Sequence, residues 1–259
     1  MGLTKLALKM ALLFPDVESF DNILLIGPHP DDIEIGAGAT VAKLVRMGKK
    51  VSFLICIDGR FGEAHAQGLA GDALARRREQ EARKAAKVLG VKDIYFLRLR
   101  DGEGYTSQEL EAGIAKMIGQ IQPDLIFGPD PCPDNECHAD HLEVGHAVRK
   151  LACFAPYAGI MKEKYDACAA PVKAVAFYMT ARPTVYVKTD KMAFKRQLQS
   201  IFTCHISQYP KGCEDADALQ LYLNLRSLEA GLHCFSLYAE GFRLLTATHM
   251  HCLSEIGEM

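Results

Sequence analysis

The 259-residue chain has no tryptophan and no excess of charge of either sign. Its 30 lysine and arginine residues are balanced by 32 aspartate and glutamate residues, which gives a formal net charge of -2. Proteins that bind nucleic acid usually cluster positive charge, so this balance argues against such a partner. No apolar run reaches the ~18 residues of a membrane span. The N-terminal stretch is interrupted by Lys5 and Lys9 and has no signal-peptide cleavage site.

Nine cysteines are present, but no two are spaced as CxxC and their number is odd. Several lie in apolar stretches, which is typical of reduced thiols in a reducing compartment. With 49% hydrophobic residues the chain can bury a full core. We therefore expect a soluble cytoplasmic protein with neither a membrane nor a nucleic acid as partner.

Strand-like and helix-like segments alternate as far as residue 152. Short apolar runs predict strands, Ala- and Glu-rich segments ending at glycine predict helices, and Ser107 is the expected cap of one helix. The predicted strands are 23–28, 51–57, 94–97 and 124–129, and the predicted helices are 40–47, 73–89, 107–121 and one beginning near residue 141. This alternation indicates an α/β fold with a mostly parallel sheet and helices on both faces.

The pattern after residue 152 is less regular. Apolar runs predict strands at 172–179 and 184–189, and helical spacing predicts helices at 191–202 and 216–231. No repeat or linker separates 1–152 from 153–259. We interpret 153–259 as a smaller C-terminal cap region that completes a single domain covering 1–259.

Two polar clusters follow two of the predicted strands. His-Pro-Asp-Asp occupies residues 29–32, and His-Ala-Asp-His occupies residues 138–141. The carboxyl ends of parallel strands meet at one edge, where α/β proteins bind their ligands. A histidine or aspartate at one strand end is more often a turn or capping residue. Two such clusters at equivalent ends of one sheet favour a functional site.

Two histidines and one aspartate with an open fourth position form a known ligand set of catalytic zinc, which lowers the pKa of a bound water to ~7. Because Asp31 and Asp32 are adjacent, one carboxylate can bind the metal while its neighbour accepts the proton of the attacking water. A spare imidazole can stabilise an oxyanion or protonate a leaving amine.

The segments GPHPDDIEIGAGAT and CHADHLEVGHAV together resemble the zinc-dependent N-deacetylases known as LmbE-like or PIG-L-like proteins. The resemblance extends to about residue 150 and implies a Rossmann-like fold. It also implies that His29, Asp32 and His141 bind Zn²⁺ and that Asp31 is the general base.

The same resemblance gives His138 a role at the oxyanion or the leaving group. It implies that Asp140 orients a catalytic histidine, as hydrogen bonds to an imidazole do around metals. An N-cap for the following helix is the alternative role of Asp140, and both roles are compatible.

Arg60, Arg78 and Asp101 are further candidates for substrate binding. Arg78 and Glu81 resemble the RxxE of the family, and an arginine there could hold a substrate hydroxyl or carboxylate. A solvated helix face is the alternative. Asp101 resembles a family aspartate that contacts a sugar hydroxyl, although Asp-Gly is also a common turn. Arg60 lies in the DGRFG loop at the same rim.

The HPDD motif, the DGRFG loop and the late HMHC segment are most similar to the branch containing diacetylchitobiose deacetylases. In that branch a C-terminal histidine reaches an active site across a subunit contact. His251 is the candidate here, His249 is its competitor, and a solvated tail is the alternative for both. The resemblance also implies a homo-oligomer.

Gly36-Ala37-Gly38 precedes the predicted helix 40–47 and could be mistaken for a dinucleotide-binding loop. The third glycine of GxGxxG is missing, because Val41 occupies its place. We therefore do not expect a nicotinamide cofactor.

The sequence thus predicts a zinc-dependent hydrolase that removes the acetyl group from N-acetylglucosamine, or from its disaccharide or a conjugate, and releases acetate and a free amine. A metal-dependent phosphoesterase and a non-catalytic carbohydrate-binding protein are the alternatives.

Overall fold

The computed structural model describes residues 14–251, and the elements there form a mixed seven-stranded sheet covered by helices. The strands are β1 (Asn22–Gly27), β2 (Lys50–Ile57), β3 (Asp93–Leu99), β4 (Leu125–Pro129), β5 (Ala174–Tyr178), β6 (Val185–Lys188) and β7 (Ala239–Thr246). The helices are α1 (Asp32–Arg46), α2 (Gly71–Leu89), α3 (Ser107–Ile121), α4 (Ala139–Phe154), α5 (Ala158–Tyr165), α6 (Lys191–Phe202), α7 (Glu214–Leu232) and α8 (Ala247–His251).

The strand order is β3-β2-β1-β4-β5-β7-β6. The first five strands are parallel, whereas β7 runs antiparallel to both β5 and β6. The expected mostly parallel α/β sheet is therefore confirmed. The chain turns from one half of the sheet to the other between β1 and β4, and the crevice outside such a reversal is where open α/β sheets bind ligands.

Two apolar cores lie on the two faces of the sheet. Buried residues of α1, α2 and α6 pack with one face, and buried residues of α3, α4 and α5 pack with the other. Within residues 14–251 no helix combines the length and the apolar character that crossing a bilayer needs.

Helix α1 begins eight residues earlier than the predicted start at Thr40, so the Gly36-Ala37-Gly38 segment is helical and does not form a loop. Its glycines bring α1 close to its neighbours. An ideal Cβ on Gly36 would lie 2.3 Å from the Tyr178 ring, and one on Gly38 would lie 2.8 Å from Gln197. Close packing decided this segment, although its glycines favoured a loop in the sequence. As a result, α1 starts directly at the HPDD motif.

The predicted cap of α3 is wrong by one residue. Thr106, not Ser107, is the N-cap, because its hydroxyl accepts a hydrogen bond from the Glu109 backbone N–H while the Glu109 carboxylate accepts one from Thr106. This reciprocal pair is a capping box, and a glutamate three residues after the threonine was its sequence signal.

The region after residue 152 extends the sheet instead of standing apart from it. It supplies β5, β6 and β7, and the last of these was missed together with the short helix α5. The β7 segment AEGFRLLT mixes glycine and charge with its apolar residues, so its buried position depends on pairing with β5 and β6. One sheet thus joins both parts of the chain.

Candidate metal centre and active site

Polar side chains from three strand ends converge beside the reversal between β1 and β4. His29 follows β1, Asp101 follows β3, and the 138–141 segment follows β4 and begins α4. His29 and Asp101 are buried, and Asp140 is fully buried. Buried charge of this density is costly unless the groups are paired or bind an ion.

His29, Asp32 and His141 offer ligand atoms that all lie within 4.8 Å of one another. Asp32 Oδ2 is 3.5 Å from His29 Nδ1 and 3.5 Å from His141 Nε2. Ligand atoms about 2.0–2.1 Å from a tetrahedral ion lie about 3.3–3.4 Å apart, so the spacing fits one divalent cation such as zinc. The set leaves further coordination positions open, as catalytic metal sites do.

The other nitrogen of the His29 ring faces away from this set. Nε2 lies 3.3 Å from Asp140 Oδ2 and 3.3 Å from Asp101 Oδ1. Burial opposes protonation of His29, but hydrogen bonds with Asp101, Asp140 and Asp32 outweigh burial and raise its pKa well above the usual value. The two carboxylates beyond Nε2 thus fix the ring so that Nδ1 is presented to the ligand set.

Asp140 is held by several donors besides His29. Its carboxylate accepts hydrogen bonds from the Tyr105 hydroxyl at 2.7 Å and from the Gly102 backbone N–H at 3.2 Å. Burial opposes ionisation, yet the hydrogen bonds from His29, Tyr105 and Gly102 lower the pKa of Asp140 well below its usual range. Asp140 therefore contacts a predicted metal ligand rather than the proposed acid His138, and it is not the N-cap of α4, which is His138.

His141 has a similar support that the sequence reasoning missed. Its Nδ1 lies 2.9 Å from Glu136 Oε2, while its Nε2 faces Asp32. Burial opposes ionisation of Glu136, but hydrogen bonds from the His138 backbone and the His141 ring lower its pKa. A carboxylate two residues before the HADH motif was the available sequence signal.

Asp31 is adjacent to the ligand set but has different surroundings. Its φ is 119° and its ψ is -27°, a left-handed conformation that is strained for a residue with a Cβ. Burial, together with the charge of Asp32, raises the pKa of Asp31, and the Arg78 guanidinium only partly offsets this rise. Asp32 behaves oppositely, because His141 and His29 outweigh burial and lower its pKa. The two carboxylates are thereby separated into a stronger and a weaker base.

Arg78 is buried and its guanidinium is already bonded within the protein. It donates to the backbone oxygens of Gly59 at 3.0 Å and Pro30 at 2.8 Å, and it lies 3.3 Å from Asp31 Oδ2. These contacts hold the loops that follow β1 and β2 around the Asp31 carboxylate. The Arg78 guanidinium, which was predicted to bind substrate, is thus bonded to groups of the protein itself.

Glu81 lies one turn further along α2 and is also buried. Its carboxylate accepts a hydrogen bond from the Ser207 hydroxyl at 2.6 Å and another from Arg77 at 2.7 Å. The neighbouring Gln208 donates to the Gly62 oxygen at 2.8 Å. The segment after α6 is therefore attached both to α2 and to the loop after β2.

Asp101 lies at the centre and Arg60 at the outside of the same rim. Besides facing His29, Asp101 accepts a hydrogen bond from the Phe61 backbone N–H at 3.0 Å. Arg60 binds Asp58 at 2.7 Å and Asp72 at 2.9 Å, away from the histidines. The structure therefore brings Asp101, but not the Arg60 guanidinium, to the cluster.

His138 is the exposed member of the histidine group. Its ring stacks on His141 at 4.7 Å between centroids and lies 4.9 Å from the His29 ring. Partial burial, followed by the positive charges of His29 and His141, lowers the pKa of His138. An accessible neutral imidazole thus stands over the candidate metal centre.

Within their own chain, the two C-terminal histidines lie at the amino ends of the parallel strands, opposite the cluster. Thr246, at the end of β7, pairs with Ala174, the first residue of β5, and α8 follows directly. His249 is buried, stacks on Phe14 at 4.6 Å and lies 2.7 Å from the Thr246 hydroxyl, whereas His251 is exposed. Neither reaches the cluster of its own subunit, and a contribution to another subunit stays a prediction.

A buried layer beneath Asp31 was missed by the sequence reasoning. His205 is completely buried and its Nε2 lies 3.5 Å from Glu34 Oε1. Burial opposes protonation of His205, but Glu34 and Asp31 raise its pKa. The Asp31 charge, followed by burial, raises the pKa of Tyr209, so the neutral phenol stands close to that carboxylate. His205 and Tyr209 flank the Ser207–Gln208 pair, but a His-x-Ser-Gln-Tyr string alone indicates no chemistry.

A two-histidine, one-aspartate set beside a separate carboxylate of raised pKa, at the reversal of a parallel sheet, defines a candidate metal-dependent hydrolase. The profile of the PIG-L family, described as GlcNAc-PI de-N-acetylase, matches residues 24–152. A diacetylchitobiose deacetylase of Thermococcus kodakarensis is 34% identical over 253 residues, which cover 96% of this chain and 91% of that protein. The chain belongs to the PIG-L family, as its two motifs predicted.

Other relatives agree with this assignment. A 1D-myo-inositol 2-acetamido-2-deoxy-alpha-D-glucopyranoside deacetylase of Kineococcus radiotolerans is 32% identical over 161 residues, 50% of this chain and 44% of that protein. The solved structure of the N,N'-diacetylchitobiose deacetylase of Pyrococcus horikoshii, in complex with an inhibitor, matches with a TM-score of 0.84 and 29% identity and covers 96% of this chain and 93% of that one.

The fold alone does not fix the reaction. A 4-carboxy-2-hydroxymuconate hydratase of Pseudomonas putida shares it with a TM-score of 0.70 at 18% identity, covering 87% of this chain and 96% of that one. The reaction of this chain therefore depends on the residues of its site and not on its fold.

Proposed function

We propose that the protein is a zinc-dependent deacetylase that hydrolyses the acetamide of an N-acetylated amino sugar. The observation that carries this proposal is the difference in position and pKa between the Asp31 and Asp32 carboxylates. One carboxylate lies between two histidine nitrogens, and its sequence neighbour stands apart with a raised pKa. Deacetylation of N-acetylglucosamine, its disaccharide or a conjugate is the activity that the named relatives support.

His29, Asp32 and His141 would hold the ion. A divalent cation held there supplies a Lewis acid for the acetamide oxygen and acidifies a water molecule. Asp140 and Glu136 fix the rings of His29 and His141 through their remote nitrogens. This support keeps the two imidazoles in the tautomer that binds a cation.

Asp31 acts as the general base. It takes a proton from the attacking water as the new carbon–oxygen bond forms, and a raised pKa makes its conjugate acid suitable for returning that proton. Arg78 keeps Asp31 in place and partly offsets the rise in its pKa. The same proton reaches the nitrogen when the carbon–nitrogen bond breaks, which yields acetate and a free amine.

His138 and Asp101 are the groups nearest the substrate side. The exposed imidazole of His138 can donate a hydrogen bond to the developing oxyanion or to the leaving nitrogen, which receives its proton from Asp31. Asp101, which also accepts from Phe61, is the candidate for a sugar hydroxyl. We assign Arg60 to the rim and not to direct contact with the acetamide, because Asp58 and Asp72 hold it.

The experiment is an assay of the purified protein on N-acetylglucosamine and on diacetylchitobiose, with free amine and acetate measured separately. We expect equimolar amine and acetate, loss of both with a chelator, and recovery with zinc. Glucosamine 6-phosphate tests the phosphoesterase alternative through inorganic phosphate. Amine release that persists in the fully chelated protein would contradict a metal-dependent reaction, and binding of sugar without turnover would favour the carbohydrate-binding alternative.

Two further expectations, about location and oligomeric state, accompany this function. We propose a cytoplasmic location, which is supported by the eight unpaired cysteines among residues 14–251. We also propose a homo-oligomer in which His251, or its competitor His249, approaches the site of another subunit. Alanine at each histidine in turn, assayed for kcat, tests this assignment, and full activity in both variants would exclude it.

A further inference from the structure

An exposed aromatic side chain, Phe61, lies in the loop after β2 at the rim of the candidate active site and has no part in the reaction described above. Phe61 is 54% exposed. A single apolar side chain on a surface is common and indicates no function by itself. Any function of Phe61 therefore depends on the position of its ring and on how firmly its loop is held.

The backbone and the ring of Phe61 both contact the turn at 101–102. The Phe61 N–H donates to Asp101 Oδ2 at 3.0 Å, and Asp101 Oδ1 lies 3.3 Å from Nε2 of His29. An ideal Cβ on Gly102 would lie 3.3 Å from the Phe61 ring, and the Gly102 N–H donates to Asp140 at 3.2 Å. The ring therefore lies beside the carboxylate that is the candidate for a sugar hydroxyl, and close to a candidate metal ligand.

The loop that carries Phe61 is packed against the buried Arg78. Ideal Cβ atoms on Gly59 and Gly62 would lie 2.4 Å and 2.7 Å from Arg78 Nη1, so both glycines lie against the interior while Phe61 between them is exposed. The Gly62 N–H donates to the Gly59 oxygen at 3.2 Å, and Gln208 donates to the Gly62 oxygen at 2.8 Å. A ligand can thus contact the ring without the entropy cost of ordering the loop.

A pyranose ring suits this position. One face of a pyranose presents C–H groups that pack on the flat face of an aromatic ring, while its hydroxyls bond to polar groups at the edge of that ring. Asp101 supplies such a polar group next to Phe61. A lipid chain would need a continuous apolar channel, whereas the neighbouring Asp58 and Arg60 form an ion pair at 2.7 Å.

We propose that Phe61 is a specificity-determining residue on which a second sugar unit of the substrate stacks, so that a disaccharide is a better substrate than N-acetylglucosamine alone. This inference rests on the proposed function, in which Asp101 holds the sugar whose acetamide is hydrolysed. Asp101 is buried and Phe61 is exposed, so the next sugar unit towards the solvent is the one that reaches the ring. The contact is equally strong in the bound substrate and in the transition state, and its loss therefore raises KM and leaves kcat unchanged.

The first test measures kcat and KM of wild type and Phe61→Ala on N-acetylglucosamine and on diacetylchitobiose. We expect Phe61→Ala to raise the disaccharide KM about 3- to 10-fold, as the loss of one aromatic contact does, with kcat and the monosaccharide KM changed less than about twofold. Tyr157→Ala is the matched control, because Tyr157 is 51% exposed and follows the end of α4 remote from His141. An unchanged disaccharide KM in Phe61→Ala, or an equal rise for both substrates, would overturn the proposal.

Two further variants separate stacking from bulk. Phe61→Tyr keeps the aromatic face and should keep the wild-type disaccharide KM. Phe61→Leu keeps an apolar side chain over Gly102 but has no flat face, so its KM should rise as in Phe61→Ala. A wild-type KM in the leucine variant would contradict stacking. Should Phe61→Ala not fold by circular dichroism, the leucine variant provides the same comparison.

The second test needs no turnover. The chain contains no tryptophan, so Phe61→Trp introduces a single indole at the proposed contact. In the Asp31→Asn background, which prevents hydrolysis, we expect diacetylchitobiose to move the indole emission to shorter wavelength and to saturate, because stacking removes water from the indole. N-acetylglucosamine at the same concentrations should have a much weaker effect, and Tyr157→Trp in the same background should respond to neither sugar.

The two tests separate this proposal from the proposed function. Acetate release by the wild type together with an indole at residue 61 that does not respond to the disaccharide would overturn the stacking site alone. A responsive indole in a protein whose wild type releases no acetate would overturn the deacetylase activity and leave the stacking site standing.

A protein surface is the competing occupant of an exposed aromatic ring. Light scattering after size exclusion compares the molar mass of Phe61→Ala with that of wild type, and we expect the two to be equal. A lower mass in the variant would assign the ring to a contact between subunits and contradict the proposal.

Discussion

Residues 22–152 and residues 153–251 form one sheet but contribute differently to the site. The first region supplies every charged group around His29, from the ends of β1, β3 and β4. The second region supplies side chains that pack behind that site: Tyr178 lies against Gly36 and donates to the Ile26 oxygen, and Ser207 binds Glu81. The charged groups of the site and the side chains that pack behind it thus come from separate parts of the chain, although they are in contact in the fold.

The strongest test of this division is Asp31→Asn, in the first region. The substitution keeps the shape of the side chain but removes the base, so we expect kcat/KM to fall about 10²- to 10⁴-fold with bound zinc unchanged. Steady-state kinetics and elemental analysis measure both quantities. Asp134→Asn, at an exposed aspartate of the loop before α4, is the control. Activity within tenfold of wild type would remove Asp31 from the proposed role.

Asp140→Asn should have the next largest effect. An amide at residue 140 has no negative charge with which to stabilise and orient the His29 ring. We therefore expect zinc affinity or activity to fall about 10- to 100-fold. Competition with a coloured chelator gives the zinc Kd directly. Glu136→Gln is the matched variant for His141 and should weaken zinc in the same direction. Unaltered zinc affinity in both variants would mean that these carboxylates do not support the ligands.

Gly36→Ala probes the contact between the two regions. The new Cβ would meet the Tyr178 ring at 2.3 Å, so the free energy of unfolding should fall by about 1–3 kcal/mol. Urea unfolding followed by circular dichroism measures it. Gly159→Ala is the control, since its Cβ would meet nothing within 4 Å and alanine favours a helix. Equal stability of the two variants would contradict tight packing of α1 on β5.

Ser207→Ala removes a buried donor to Glu81. We expect a loss of about 1–3 kcal/mol in the free energy of unfolding, because the carboxylate keeps its burial and loses that partner. The loop after β2 is attached through the neighbouring Gln208, so KM should rise more than kcat falls. Thr203→Ala, at an exposed hydroxyl, is the control. A fall in kcat alone would instead place Ser207 in the chemistry.

Arg78→Gln should displace the pH profile of the activity that remains. The base works only when ionised, so activity is lost as pH falls through the raised pKa of Asp31. Arg78 lowers that pKa, and without its charge the acid limb of kcat/KM should move to higher pH. Arg83→Gln, which breaks an exposed pair on the same helix, should leave the limb in place. A shift towards lower pH would contradict the sign of this interaction.

Much of the fold followed from local pattern. The strands ending at the two motifs and the helices α3 and α6 were predicted with little error, because short apolar runs and caps are local signals. Helix α1 was predicted too short because its glycines disfavour a helix in isolation, and only the Tyr178 and Gln197 side chains show why they are needed. Strand β7 was missed because its burial depends on partners distant in sequence.

The sequence by itself identified most of the clustered residues. His29, Asp31, Asp32 and the 138–141 segment followed from two motifs and the alternation of strands and helices, and Asp101 followed from the family resemblance, whereas Glu136 and His205 were missed. Only the tertiary structure decided how they differ in role. The left-handed backbone at Asp31 directs its carboxylate to Arg78 while Asp32 turns to the histidines, and burial then moves the two pKa values apart. Burial and orientation depend on contacts between distant residues, which no local pattern encodes.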